Sequence, residues 1–178
     1  YEMDIPKPVQ AILALETETK ELGVPAGPQD RVIQVFEGLV YMDFRKDLMQ
    51  SRGYGDYESL DPKLLGNVYV AYRTSLSEGT EVFHNNVRER WNRGEAEVVN
   101  SMQRWGDIAL EGRKALEAGD RKTLSALINE NFDLRRRIYS IDEGNLEMID
   151  TARAVGASSN FAGSGGAITG LYDDEAMF

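Results

Sequence analysis

The stretch that decides the fold class is Ala152-Arg153-Ala154-Val155-Gly156-Ala157-Ser158-Ser159-Asn160-Phe161-Ala162-Gly163-Ser164-Gly165-Gly166-Ala167-Ile168. A helix predicted over Glu143 to Val155, with Leu146, Met148, Ile149 and Ala152 on one face, is closed by Gly156. Residues Ala157 to Ala162 then lead into a glycine-rich turn, followed by the short apolar Ala167-Ile168. Upstream, Thr80 to about Arg137 is helical in period, broken at Gly94 and around Gly119-Asp120. Further upstream, Leu39 to Phe44 and Asn67 to Tyr72 read as strands, dense in aliphatic and aromatic residues. The polar, glycine-containing Arg45 to Pro62 between them reads as a loop, and Thr74, Ser75, Ser77, Glu78 and Gly79 as a turn or helix cap. The chain opens with a helix over Pro8 to Leu22 that stops at Gly23. A turn-rich link, Val24 to Asp30, leads to a second helix carrying Val32, Ile33, Val35 and Phe36 and ending at Gly38. Strands, a run of helices and a glycine turn between extended pieces make an α+β chain.

At 178 residues and 42% hydrophobic content the chain can bury a real core. No apolar run approaches the length of a membrane span and no signal peptide is seen, so the expectation is a soluble, cytoplasmic protein without membrane contact. Because the first residue is Tyr1, the sequence is open to being a fragment or a processed product. A net charge of -10 repels phosphate backbones and argues against nucleic-acid binding, which leaves a small molecule as the expected partner. With no Cys, disulfides, thiolate chemistry and zinc–sulfur sites are excluded together. The one histidine, His84, falls in a helical stretch with nothing around it to suggest a triad.

Three places could carry chemistry. In Gly27-Pro28-Gln29-Asp30-Arg31, Asp30 falls in the first turn of the second helix, where the dipole favours a carboxylate. A carboxylate there, beside a cation, can serve as general base for a hydroxyl, or simply as an ordinary helix-start Asp. Gly163-Ser164-Gly165-Gly166 can bring several N–H groups close to an anion, or form a plain hairpin turn; it matches neither the P-loop nor the dinucleotide fingerprint. In Asn131-Phe132-Asp133-Leu134-Arg135-Arg136-Arg137 the three arginines point in different directions on a helix. One or two could hold a carboxylate through paired hydrogen bonds, or all could sit on a solvated face, bridged to neighbours such as Glu130 and Asp133.

The order of these segments resembles a known family. Gly27 to Val32 leading into Glu37-Gly38-Leu39-Val40-Tyr41-Met42-Asp43-Phe44, the Asn131 to Arg137 run, and Ala152 to Ala157 running into Phe161 to Ala167 are similar to glucuronokinases of the GHMP kinase family. The glycine segment resembles the third GHMP motif. Wider relatives are galactokinases, mevalonate kinases and bacterial heptose kinases. The resemblance covers most of the chain and implies the C-terminal half of such an enzyme. Residues 1–38 would be the end of an S5-like ATP-binding domain with the catalytic loop. Residues 39–178 would be the C-terminal domain, with helices packed on an antiparallel, ferredoxin-like sheet.

What the resemblance implies is transfer of the γ-phosphoryl group of ATP, assisted by Mg2+, to a sugar or sugar acid, in glucuronokinases the anomeric hydroxyl of D-glucuronate. Asp30 matches the acidic residue that orients or deprotonates that hydroxyl. Gly163, Ser164, Gly165 and Gly166 match the loop beside the nucleotide phosphates. Arg31 stands where many relatives carry Gln and agrees with the glucuronokinase pattern; Arg31 or Arg135 is the candidate holder of the substrate carboxylate. Two departures stand against this. Asn160 occupies the place of a usual Lys before the glycine loop, and the ATP-binding motif P-x-x-x-G-L-x-S-S-x-x does not occur in these residues. The main ligands of ATP and Mg2+ are therefore expected in an N-terminal half, a possible partner of this chain. The alternatives are a heptose- or galactose-type kinase and a non-catalytic remnant acting as a binding module.

Overall fold

A computed structural model describes residues 4–24, 26–74 and 81–178, with side chains for all of these except 81–86. The turn expected over Ser75 to Gly79 and the His84 side chain lie outside that description. The chain forms two compact units, Tyr1–Lys63 and Leu64–Phe178.

In the first unit, helix α1 (Lys7–Glu16) continues as a π-helical turn (Thr17–Glu21), and helix α2 (Pro28–Phe36) packs on α1. Ala11 and Val32 are buried, and the small Ala11 side chain lets the two helices approach. The widening of α1 into a π turn coincides with two hydroxyls that bond back into the helix, Thr17 to the Leu13 carbonyl at 2.9 Å and Thr19 to the Leu15 carbonyl at 2.8 Å. Gly27 and Pro28 start α2 in the favoured way, with Pro at the first helical position, where a missing N–H costs nothing.

The expected strand at Leu39 to Phe44 forms as β1 (Leu39–Asp43). The reading of Arg45 to Pro62 as a loop does not hold. It contains helix α3 (Lys46–Arg52) and strand β2 (Asp56–Leu60), which pairs antiparallel with β1 from Leu39↔Leu60 to Asp43↔Asp56. Tyr57 anchors this hairpin against Phe36, edge to face at 5.5 Å, and against Phe44 at 5.6 Å.

In the second unit, strand β3 (Val68–Tyr72) precedes four helices: α4 (Glu81–Asn92), α5 (Ala96–Ala118), α6 (Arg121–Ile138) and α7 (Glu143–Ala154). The helix breaks fall at Gly94 and Gly119-Asp120, as the sequence indicates, with Gly119 in the left-handed conformation and Asp120 capping α6. Strands β4 (Asn160–Phe161) and β5 (Ala167–Leu171) flank the glycine turn. The sheet has the order β3-β5-β4 and is antiparallel throughout.

The core lies between this sheet and helices α6 and α7: Phe132, Ile149, Phe161 and Ile168, with Tyr69 and Leu146 packed against them. Phe132 meets Phe161 edge to face at 5.1 Å. Each such side chain contributes roughly 1.5–3 kcal/mol on burial. The pleat puts Val68, Val70 and Tyr72 on the opposite, exposed face. Arg121, at the start of α6, donates to the carbonyls of Leu65, in the turn before β3, and Tyr172, just after β5, and so fastens helix to sheet. No helix among the described residues is long and apolar enough to cross a membrane.

Gly170 packs very close to its neighbours. A Cβ there would lie 1.8 Å from the Ser158 carbonyl oxygen and 3.1 Å from the Tyr69 ring. Neither neighbour is free to move: Ser158 is buried, accepts the Tyr69 hydroxyl at its carbonyl and receives Leu171 N–H at its own hydroxyl. Gly170→Ala is expected to destabilise the second unit by about 3 kcal/mol, the upper end for overpacking. Chemical denaturation followed through the fluorescence of Trp91 and Trp105 measures it, and a loss under ~0.5 kcal/mol would contradict the packing described.

Candidate active site

Of the sequence candidates, Asp30 and Arg31 belong to the first unit, and Arg135 and Gly163 to Gly166 to the second. In the first unit, Asp30 sits in the opening turn of α2, and its side chain is 78% exposed. The neighbouring Arg31 is largely buried. Its guanidinium bonds the Glu18 carboxylate, lies 3.2 Å from Asp30 Oδ2 and reaches the Gly27 carbonyl at 3.4 Å. Arg31 thus ties the π turn to the start of α2 and places a positive charge beside an accessible carboxylate. A carboxylate near a cation and open to a ligand is an arrangement that a hydroxyl-directed base can use.

In the second unit the three arginines separate as helical geometry demands: Arg136 and Arg137 are exposed and Arg135 turns inward. The neighbouring acids do not pair with them. Glu130 binds Arg104 of α5, at 2.6 and 2.8 Å, which holds its carboxyl below the usual range. Asp133 binds Arg153 of α7 at 2.7 Å. Arg153 also donates to the Asn129 carbonyl and stacks its guanidinium over Phe132. Arg135 is left with a neutral acceptor, the Gly163 carbonyl at 2.8 Å, and the Phe161 ring at 5.3 Å. Its Nε is buried without a hydrogen-bond partner, and no carboxylate among the described residues pairs with it. Burial lowers its proton affinity, with Tyr139 opposing, but a guanidinium stays charged in water-exposed proteins at any working pH. A cation with unused donors and no counter-charge favours an anion from outside.

The glycine loop begins at this arginine. Its far end is held by α7, where Asn145 Oδ1 accepts Gly166 N–H at 2.7 Å, and by β3, where Arg73 N–H donates to the Gly166 carbonyl at 2.8 Å. Gly166 has φ +73, which a side chain would resist. Asn160 is committed inward: its Nδ2 donates to Asn131 Oδ1 at 3.0 Å and its Oδ1 accepts Phe161 N–H at 2.8 Å. Sequence reasoning missed Asn145. Its one available signal was Asp142, three residues earlier, in the spacing of a helix cap. Among the described residues no three His, Asp or Glu side chains gather to hold a metal ion.

No protein-family model matches the chain. Two curated relatives do. Glucuronokinase 1 of Arabidopsis thaliana is 45% identical over 152 residues, which are 84% of this chain and 42% of the relative. Probable glucuronokinase 2 of the same plant is 43% identical over 164 residues, 90% of this chain and 44% of the relative. The chain therefore spans less than half the length of either. Among solved structures, L. major mevalonate kinase in complex with R-mevalonate has a TM-score of 0.72 at 20% identity, over 98% of this chain and 52% of that one. The D-glycero-D-manno-heptose 1-phosphate kinase from Bacteriodes thetaiotaomicron has a TM-score of 0.63 at 18% identity, over 95% of this chain and 45% of that one. Helices with small antiparallel sheets in this arrangement are the fold of the GHMP kinases. The chain shares that fold, and the curated sequences it matches are glucuronokinases.

Asp142 caps α7 by accepting Asn145 N–H at 2.9 Å, and it also accepts the Asn145 side-chain amide. These donors hold its carboxyl below the usual range, against a smaller opposing effect of burial. Asp142→Ala is expected to cost about 1 kcal/mol at neutral pH, as for other lost caps. A lowered folded pKa contributes stability above the unfolded value of about 4 and loses it as pH falls through the folded value. The gap between wild type and variant in thermal melts should therefore close below about pH 4. A gap that is constant from pH 7 to pH 2 would show that the carboxylate's charge plays no part.

Proposed function

We propose that the protein containing this chain transfers the γ-phosphoryl group of ATP to D-glucuronate at its anomeric hydroxyl. The observation that carries this reading is the 43–45% identity to two glucuronokinases over most of the chain. In the proposed reaction the anomeric oxygen attacks the γ-phosphorus, the bond to the β–γ bridging oxygen breaks, and ADP leaves. Asp30 accepts the hydroxyl proton, and Arg31, 3.2 Å from Asp30 Oδ2, orients the Asp30 carboxylate. Phosphoryl transfer asks mainly for positioning and charge neutralisation, so a single well-placed carboxylate is sufficient as base.

Of the two candidate arginines, Arg135 is the better holder of the uronate carboxylate. Arg31 already has the Glu18 and Asp30 carboxylates, whereas Arg135 pairs with no carboxylate among the described residues. Gly163 to Gly166 serve the phosphate side, with the Gly166 N–H turned inward to Asn145. Mg2+ accompanies the nucleotide, with its main ligands outside the described residues of this chain. The family division at residue 38 and a cytoplasmic setting, where ATP is at hand, belong to the same proposal.

Two substitutions in the full-length protein test the roles separately. Asp30→Asn should lower kcat by about 10²- to 10⁴-fold, the span of general-base contributions, with KM for ATP nearly unchanged. Unaltered turnover would remove Asp30 from catalysis. Arg135→Ala should weaken D-glucuronate, measured as kcat/KM, by at least about tenfold more than the neutral sugar D-glucose, since a charge-assisted pair contributes roughly 1.5–3 kcal/mol. Equal losses for both sugars would make Arg135 a structural residue.

A further inference from the structure

We infer that Asn145 positions the glycine loop for the donor phosphate, and that Asp142 determines which way the Asn145 amide faces. Asn145 is 3% exposed on the first turn of α7, an unusual place for a side-chain amide unless every polar atom is used. Its oxygen accepts Gly166 N–H and its nitrogen donates to Asp142. An ionised carboxylate only accepts hydrogen bonds, so Asp142 can be satisfied only by the nitrogen side of the amide. The oxygen is thereby turned to the loop. The backbone follows closely: a Cβ at Gly165 would lie 3.2 Å from Asn145 Nδ2.

The loop is thus tied at Gly163 by Arg135 of α6 and at Gly166 by Asn145 of α7 and Arg73 after β3. Only Ser164 and Gly165 lie between the two ties. Donors that act on a transferring phosphoryl group contribute most when already in place, because no reorganisation is then needed. Asn145 itself touches no reacting atom. It acts through the Gly166 amide, and this role rests on the kinase reading proposed above.

The test uses Asn145→Ala, Asn145→Asp and the swap Asp142→Asn/Asn145→Asp in the full-length protein. Asn145→Ala frees the Gly166 N–H. Asn145→Asp alone sets two carboxylates against each other. In the swap the new amide at 142 donates to the new carboxylate at 145, whose other oxygen accepts from Gly166, and capping is retained because Asn caps as well as Asp. Both single variants should speed amide exchange across 162–168, read by mass spectrometry, by about tenfold or more, the equivalent of one lost hydrogen bond. They should raise KM for MgATP by a similar factor, with KM for D-glucuronate moved less than about threefold. The swap should bring both readouts back to within about threefold of wild type. Unchanged exchange, no rescue by the swap, or faster exchange with an unaltered KM for MgATP would each overturn the inference. Wild-type protein that exchanges as described but phosphorylates no sugar would sink the kinase reading instead, and the exchange arm would still decide whether Asn145 holds the loop.

Discussion

Arg135 is half-buried with no carboxylate among the described residues to neutralise it, and the ion pairs of the second unit explain why. Two acids stand close by in the sequence, Glu130 and Asp133, and each is taken by an arginine from another helix, Arg104 and Arg153. Those pairs fasten α6 to α5 and to α7. They also leave Arg135 facing a carbonyl and an aromatic ring. A buried charge that lacks its counter-charge is costly unless something else offsets it, and in a binding site a ligand anion can do so. A carboxylate is the anion that a planar guanidinium suits best.

The surroundings of that arginine are stiff. Phe132 and Phe161 form the core beneath it, and the close pass of Gly170 over Ser158 fixes the register of the strand that follows the glycine loop. The loop itself is short and is held at both ends by side chains from α6 and α7. Glycine permits the backbone path, and the hydrogen bonds select one path from the many it permits. The first unit shows the same economy: Arg31 holds the π turn to α2 with one face and leaves Asp30 accessible beside it.

Much of this was legible in the sequence. The helices of the second unit and their glycine stops, the strands β1 and β3 and the turn at Gly163 to Gly166 all follow from period and punctuation. The hairpin partner β2 was not legible. Asp56-Tyr57-Glu58-Ser59-Leu60 has only two apolar residues, three positions apart, and three of its five residues are exposed, so its polarity reads as loop. Helix α3 is seven residues with no buried face and leaves no apolar stripe to detect. The partners of Glu130 and Asp133 come from distant points in the chain, so a local reading assigned them to the wrong arginines. Asn145 was invisible because its value depends on a glycine 21 residues away. Asp30 and the glycine loop were singled out on local chemistry and family resemblance, and the structure adds what each of them touches.

The most direct measurement is the product itself. The full-length protein would be incubated with MgATP and either D-glucuronate or D-glucose, and the mixture followed by phosphorus NMR. The account predicts a new sugar 1-phosphate resonance, growing as ADP appears, far faster with D-glucuronate than with D-glucose. ADP formation with no sugar phosphate, or equal phosphorylation of both sugars, would contradict it.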